Sequence, residues 1–331
     1  MDSANPSTVP TTPPTAKPAS TQDAARTHRV AFIVMALIFI GAPLVGVYPV
    51  FMMKVMCFAL FACAFNLLLG YGGLLSFGHA MFLGSAGYVS AHAAKVWGLT
   101  PELAIAMGAL CAGALGWVAG KLAIRRQGIY FAMITLALAQ LVFFFSLQAP
   151  FTGGEDGIQA VPRGKLFGLF ELTNPVAMYP FVLAIFLGGF LLIYRIVHSP
   201  FGQVLKAIRE NEPRAISLGY DADKFKHRAF VLSATLAGLA GATKAIVFQL
   251  ASLTDVHWSM SGEVVLMTLV GGMGTLFGPV VGAAVIVSMQ NYLAQLGAWV
   301  TVVQGAIFVL CVLLFRRGII GEIGHLLKKS L

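Results

Sequence analysis

Charge is what this sequence has least of. Of 331 residues only 11% are Asp, Glu, Lys or Arg, against 58% hydrophobic residues, where a soluble domain carries roughly 25% charged residues to keep its surface wet. No acidic or basic residue occurs in 30–53, 55–94, 127–154, 172–194 or 264–315. The ten-residue alternation of a transmembrane barrel is also missing. Cys57, Cys63, Cys111 and Cys311 lie in apolar stretches without CxxC or metal-ligand spacing, as small buried hydrophobes do. A phosphate-holding GxxxxGK[ST] loop is absent, because Gly120-Lys121 and Gly164-Lys165 are each followed by Leu. No nucleophile with its base and no metal cluster is visible, so no catalytic residue, metal ligand or cofactor is expected, and the chain reads as a non-enzyme. The net charge of +9 does not indicate nucleic acid, since most of the 25 Phe lie in apolar runs rather than beside Lys and Arg on a wet face.

What remains is apolar length. About 20 such residues cross a bilayer as a helix, which satisfies its own backbone where water cannot. Hydropathy and Gly/Pro breaks predict an all-α polytopic membrane protein with ten spans, near 30–48, 51–69, 77–94, 102–122, 128–148, 177–197, 227–249, 257–271, 276–294 and 298–315. The run 264–315 is too long for one or two crossings, and Gly271-Gly272-Met273-Gly274-Thr275 supplies a turn. The eighth span is short enough to be re-entrant. Residues 1–28, rich in Pro, Ser, Thr and Ala, read as a disordered tail. Residues 29–318 form the transmembrane domain, with an outer loop at 149–176, and 319–331 form a C-terminal tail. The first span lacks a clear cleavage site and reads as retained. With the N-terminus inside, ten spans place 17 of the 22 Lys and Arg on the cytoplasmic side. An odd number would put a basic terminus outside, so both termini are expected in the cytoplasm.

The longest cytoplasmic loop, 199–219, carries its own helix punctuation. Ser199-Pro200 reads as an N-cap and first turn, Pro213 opens a second short helix and Gly219 ends it. Val204, Leu205 and Ile208 share one side of the first helix, with Lys206 and Arg209 beside them. Taken alone, the pattern fits docking into a groove of a partner as well as it fits an ordinary basic loop.

Several segments resemble one family. Ser-Pro-Phe-Gly-Gln-Val-Leu-Lys-Ala-Ile-Arg-Glu-Asn-Glu (199–212), Ala-Ile-Ser-Leu-Gly-Tyr (215–220) and Phe-Val-Leu-Ser-Ala-Thr-Leu-Ala-Gly-Leu-Ala-Gly-Ala (230–242) are similar to the permease subunit of branched-chain amino-acid ABC importers. So are Leu-Leu-Gly-Tyr-Gly-Gly-Leu-Leu-Ser-Phe-Gly-His-Ala-Met-Phe-Leu-Gly (68–84), Thr-Gly-Gly-Glu-Asp-Gly-Ile (152–158) and Gly-Gly-Met-Gly-Thr-Leu-Phe-Gly-Pro-Val-Val-Gly (271–282). The resemblance covers about residues 30–318 and does not specify the amino acid carried. It implies an ABC importer permease fold in a bacterial inner (plasma) membrane. Residues 199–220 would then be coupling helices, with Pro200, Phe201, Gly202, Lys206, Arg209, Glu210, Asn211, Glu212, Arg214 and Gly219 meeting a nucleotide-binding subunit. It further implies a second homologous permease, two cytoplasmic ATP-binding subunits that hold the ATP, and a periplasmic or external solute-binding protein that the Glu155-Asp156 pair could meet. Membrane lipid surrounds the bundle. The cargo would be branched-chain amino acids, with urea, amides or other amino acids as alternatives. An ion-coupled secondary transporter is the reading from a different class, weakened because the one intramembrane acid, Glu263, lies near a span end.

Small residues spaced by four make smooth helix faces that neighbours approach closely: Gly116 with Gly120, Ala234 with Gly238, Ala237 with Gly241, and the run Gly274, Gly278, Gly282. Packing is the expected role, and the last run could also slide during alternating access. Intramembrane polar residues are candidates for a path, here Asn66, Ser76, His79 and Gln140, with Lys244 and Glu263 near span ends. His79 and His92 are thirteen residues apart, about 220° around a helix, so they cannot share a metal on one face.

Overall fold

A computed structural model describes residues 21–43, 45–168, 170–294, 297, 299–314 and 318–326. The long apolar segments are helices: α1 Thr21–Gly41, α2 Pro49–Asn66, α3 His79–Lys95, α4 Pro101–Ala123, α5 Ile129–Gln148, α6 Pro175–His198, α9 Ala222–Phe248, α10 Trp258–Gly271, α11 Gly278–Tyr292 and α12 Trp299–Leu314. Two short helices, α7 Pro200–Glu210 and α8 Glu212–Ser217, lie between α6 and α9, and α13 Gly318–Leu326 ends the described chain. Among the described residues, five helices are long and apolar enough to cross a membrane: α2 with its continuation to Tyr71, α4, α5, α6 and α9. α10 and α11 have 14 and 15 residues, about 21 to 23 Å at 1.5 Å per residue, short of the roughly 30 Å hydrocarbon layer.

The interior is built where small residues let backbones meet. α9 packs between α3 and α4 and also touches α2. A Cβ on Gly241 would strike the Leu83 carbonyl of α3, and one on Gly238 the Ala112 side chain of α4. Gly116 faces Ala234 in the same way. The expected glycine faces on α4 and α9 are therefore packing surfaces. α2 is enclosed by α6, α9, α10 and α11, and its Met53, Met56, Phe61 and Phe65 are fully buried.

Polar contacts tie helix ends together at two opposite ends of the bundle. At one, the Asn66 amide donates to the Thr275 carbonyl at 2.8 Å and its Oδ1 accepts from the Gly274 amide at 3.0 Å. The start of α13 packs on Gly272. At the other, the 149–176 loop is a folded cap. Strand β1 (Ile158–Gln159) pairs antiparallel with β4 (Leu250–Ala251), and β2 (Lys165–Leu166) with β3 (Phe170–Glu171). Lys95 donates to the Gln159 carbonyl at 2.7 Å, and Arg163 donates to the carbonyls of Thr173 and Val247 at 2.9 and 2.8 Å.

Three expectations are corrected. α1 begins at Thr21, inside the stretch read as a disordered tail, because Ala24, Ala25 and Arg26 favour helix once Pro18 is passed; residues 1–20 lie outside the described residues. It also ends at Gly41 rather than near 48, where Pro43 and Gly46 (φ 89°) turn the chain. The C-terminal stretch from Gly318 to Leu326 is a helix whose Ile319 packs on the main core. Gly274 is not on a helix at all: with φ 79°, following Gly272 at φ 123°, it sits in the turn between α10 and α11, so the run of three glycines is not one helix face. Gly278 and Gly282 do pack, against Gly271 and the Met267 carbonyl.

Gly241→Ala should destabilise the bundle by about 1–3 kcal/mol through overpacking on Leu83, whereas Gly188→Ala, with nothing within 4 Å of its added Cβ, should be neutral. Thermal unfolding in detergent separates the two; equal midpoints for both variants would refute the α3–α9 contact.

Candidate functional site

The α7–α8 hairpin is capped at every junction. Ser199 accepts from the Gly202 amide at 3.3 Å to start α7, and Asn211 accepts from the Arg214 amide at 3.1 Å to start α8. Each oxygen satisfies an amide that the first turn leaves unpaired. Gly219, at φ 90°, closes α8: its amide bonds the Ile216 carbonyl at 2.9 Å and the Tyr220 amide bonds the Ala215 carbonyl at 3.2 Å, a Schellman arrangement. Asp221 then caps α9 through the Lys224 amide at 3.1 Å. Hydrogen bonds from the Lys224 side chain and amide hold the Asp221 carboxyl below its ordinary range. That stabilisation is present above the ordinary carboxyl value and is lost as pH falls through the depressed one.

The hairpin is braced inward. Ile208, Ala215 and Ala222 form a small buried cluster with Val204 and Phe225, and Phe201 stacks on Phe225 with centroids 5.6 Å apart. Gly202 is required by closeness, since a Cβ would strike the Ile196 and Val197 carbonyls. Lys226 pairs with Glu212 at 2.6 Å, their side chains 6% and 22% exposed, and Gln127 donates to the other Glu212 oxygen at 3.2 Å. Arg209 donates to the Gly70 carbonyl. The Lys206 ammonium lies 5.3 Å from the Tyr71 ring centre; burial holds it below the usual lysine range, with Glu210 pulling the other way. A half-open cleft of about 650 Å³ runs beside these groups, lined in part by His28, Tyr71, His198, Lys206, Arg209 and Glu210.

The expected coupling residues thus divide. Pro200, Phe201, Gly202, Arg209, Asn211, Glu212 and Gly219 build and brace the hairpin and Lys206 lies half-buried beside Tyr71, while Pro200, Arg209, Glu210, Asn211, Arg214 and Gly219 are exposed on it. Beside Arg214 stand Ile216, Leu218 and Tyr220, exposed by 55%, 69% and 41%. Sequence reasoning did not single out these three, although an apolar side chain at every second position after Arg214 is itself a signal.

The polar residues proposed for a path do not converge. Asn66 clamps the α10–α11 turn, and Ser76 accepts from the Gly78 amide at 3.2 Å beside the start of α3. His79 is fully buried among Phe65, Phe82 and Phe230. Its Nε2 lies 2.9 Å from Ser233 Oγ, whose proton goes to the Ala64 carbonyl at 2.6 Å, so Nε2 carries the histidine proton. Gln140 is half-buried on α5 and, among the described residues, makes no hydrogen bond to the other three. No group of three metal-ligating side chains exists among the described residues.

A membrane-length helical bundle with a braced amphipathic hairpin at one end has the build of a transport permease. Its sequence names the family: the chain belongs to the branched-chain amino acid transport system permease components, whose family model matches residues 49–312. It is 26% identical over 288 residues to the high-affinity branched-chain amino acid transport system permease protein LivM of Escherichia coli (strain K12), covering 80% of this chain and 68% of that one. Over 239 residues it is 28% identical to the ribose import permease protein RbsC of Bacillus subtilis (strain 168), covering 67% and 70%. A probable branched-chain amino acid transport permease protein LivH of Methanocaldococcus jannaschii is 24% identical over 215 residues, covering 60% and 65%. No solved structure matches the chain.

Lys226→Met should loosen α8, because it leaves the Glu212 carboxylate largely buried without its cation. A fully buried pair broken this way costs about 3–5 kcal/mol, and partial exposure with the Gln127 contact reduces that to about 1–3 kcal/mol. Amides of 211–218 should exchange with solvent at least about tenfold faster; an unchanged rate would show that the pair does not hold the hairpin.

Proposed function

We propose that this chain is one permease subunit of an ATP-binding-cassette importer for branched-chain amino acids, switched between outward- and inward-facing forms by ATPase subunits that dock on α7 and α8. The observation that carries the reading is the hairpin itself. It is capped, braced from within by Glu212 and Arg209, and turns Arg214, Ile216, Leu218 and Tyr220 outward. An exposed apolar patch beside Arg214 suits a groove in a partner protein. A rigid handle of this kind can transmit motion, because its brace to Gly70 and Lys226 ties it to α2 and α9.

In this reading the chain crosses the membrane ten times, with both termini and the hairpin in the cytoplasm. The support is that the hairpin, the end of α2, the α10–α11 turn and the start of α13 all meet at one end of the bundle, the end where the basic residues gather. α10 and α11, too short singly, complete their crossings with the flanking turns. A second permease faces this one, and a solute-binding protein delivers cargo to the strand-capped end, where Glu155 and Asp156 are exposed. The LivM relatives favour branched-chain amino acids; urea, amides or other amino acids would change the cargo and leave the machinery as it is.

Replacing Ile216 and Leu218 together by Asp should leave the thermal midpoint of the chain unchanged, since both side chains are exposed. It should strip ATPase subunits from the purified assembly and cut ATP-driven uptake by at least about tenfold. Unchanged co-purification and uptake would remove the hairpin from the docking surface.

A further inference from the structure

The cleft beside the hairpin adjoins a second cavity of the opposite chemistry. Helix α1 packs on α6 through two aromatic pairs, Phe32 with Phe190 and Phe39 with Phe186, whose ring centres are 5.9 and 5.1 Å apart. Against α11 it leaves a groove of about 340 Å³, lined among the described residues by apolar ones alone, including Val34, Ile38, Phe39, Phe277, Val281 and Ala284. The groove follows α1 from Ala31 to Phe39, a rise of about 12 Å. Cleft and groove meet at one stack. His28 lines the cleft, Phe277 lines the groove, and their rings lie 20° from parallel with centres 6.4 Å apart.

The cleft is the charged half. Lys206, Arg209 and Glu210 line it together, and among the described residues none of the three forms an ion pair within 4 Å. Two bases over one acid leave a positive charge uncompensated. Arg209 spends one N–H group on the Gly70 carbonyl and keeps the rest of its fork for another acceptor. A second sign does not depend on charge: the His28 Nδ1 is buried and has no hydrogen-bond partner, a state that buried polar groups rarely keep. His198, whose ring centre is 5.5 Å from that of His28, donates through Nδ1 to the Tyr194 carbonyl at 2.9 Å, which fixes this wall of the cleft. In lipid an apolar groove selects nothing by itself, because the surrounding acyl chains are equally apolar. Preference for one occupant has to come from the charged end.

We propose that cleft and groove together seat one anionic phospholipid, its phosphate against Lys206, Arg209 and His28 and one acyl chain in the groove between α1 and α11. A molecule that fills both cavities needs an anion at one end and a hydrocarbon chain at the other, which a phospholipid has and a soluble phosphate lacks. A zwitterionic lipid brings its own ammonium to the same bases and gains less from them. Bound there, the lipid bridges α1 and α7 and so joins the first helix to the hairpin. The site is separate from cargo recognition and needs neither the ATPase subunits nor a solute-binding protein.

The test titrates the purified full chain, in a neutral detergent, with dioleoyl phosphatidylglycerol, with dioleoyl phosphatidylethanolamine and with inorganic phosphate, and reads the thermal midpoint. The wild type should respond to phosphatidylglycerol at concentrations at least about fivefold lower than to phosphatidylethanolamine, and inorganic phosphate at the same concentrations should give no shift. Lys206→Gln should bring the two lipids to within about twofold of each other. Val34→Trp fills the groove from an exposed position and leaves the bases in place; it should weaken the phosphatidylglycerol response by at least about fivefold. Arg126→Gln, which removes an exposed base outside the cleft, should keep the wild-type preference. Equal responses of the wild type to the two lipids overturn the proposal without any variant, as does an inorganic phosphate shift equal to that of phosphatidylglycerol, which would make the site one for a soluble anion. Undiminished phosphatidylglycerol binding by Lys206→Gln or Val34→Trp overturns it too. In the second case, loss of pairing with a second permease would identify the groove as a face between subunits.

Discussion

Helix α9 can lie in the middle of this bundle only because its side facing α3 and α4 is nearly bare. Gly238 and Gly241 bring its backbone against Ala112 and Leu83, closer than any Cβ allows, and Ala234, Ala237, Ala242 and Ala245 continue that surface. In lipid there is no hydrophobic drive between helices, so close packing of this kind supplies the cohesion. Everything functional hangs on that contact. α9 carries Lys226 at one end, which braces the hairpin, and Lys244 at the other, which pairs with Asp255 in the loop before α10.

Polar groups are spent sparingly and nearly all at helix ends. Asn66 satisfies both sides of the α10–α11 turn, Ser261 accepts from the Ala80 amide at 2.9 Å at the start of α3, and His79 shares its proton with Ser233. These residues have the composition of a transport path and the geometry of joinery.

Much of this was legible in the sequence. Long charge-free runs become helices because backbone groups in lipid have few other options, and the spans from 51 onward match the observed helices to within a few residues. Ser199, Pro200, Pro213 and Gly219 gave away the hairpin because capping is local chemistry. Gly274 misled because four-residue spacing signals a helix face only if the helix continues, and two glycines with positive φ end it. The inward role of Arg209 and Glu212 was hidden, since Gly70 and Lys226 are their partners through space.

A permease subunit moves solute only as part of an ATP-driven assembly. Proteoliposomes containing this chain alone should neither hydrolyse ATP nor take up leucine under any ion gradient. Adding a second permease, the ATPase subunits and the solute-binding protein should confer both activities together. Leucine uptake by the chain alone, driven by a proton or sodium gradient, would contradict it.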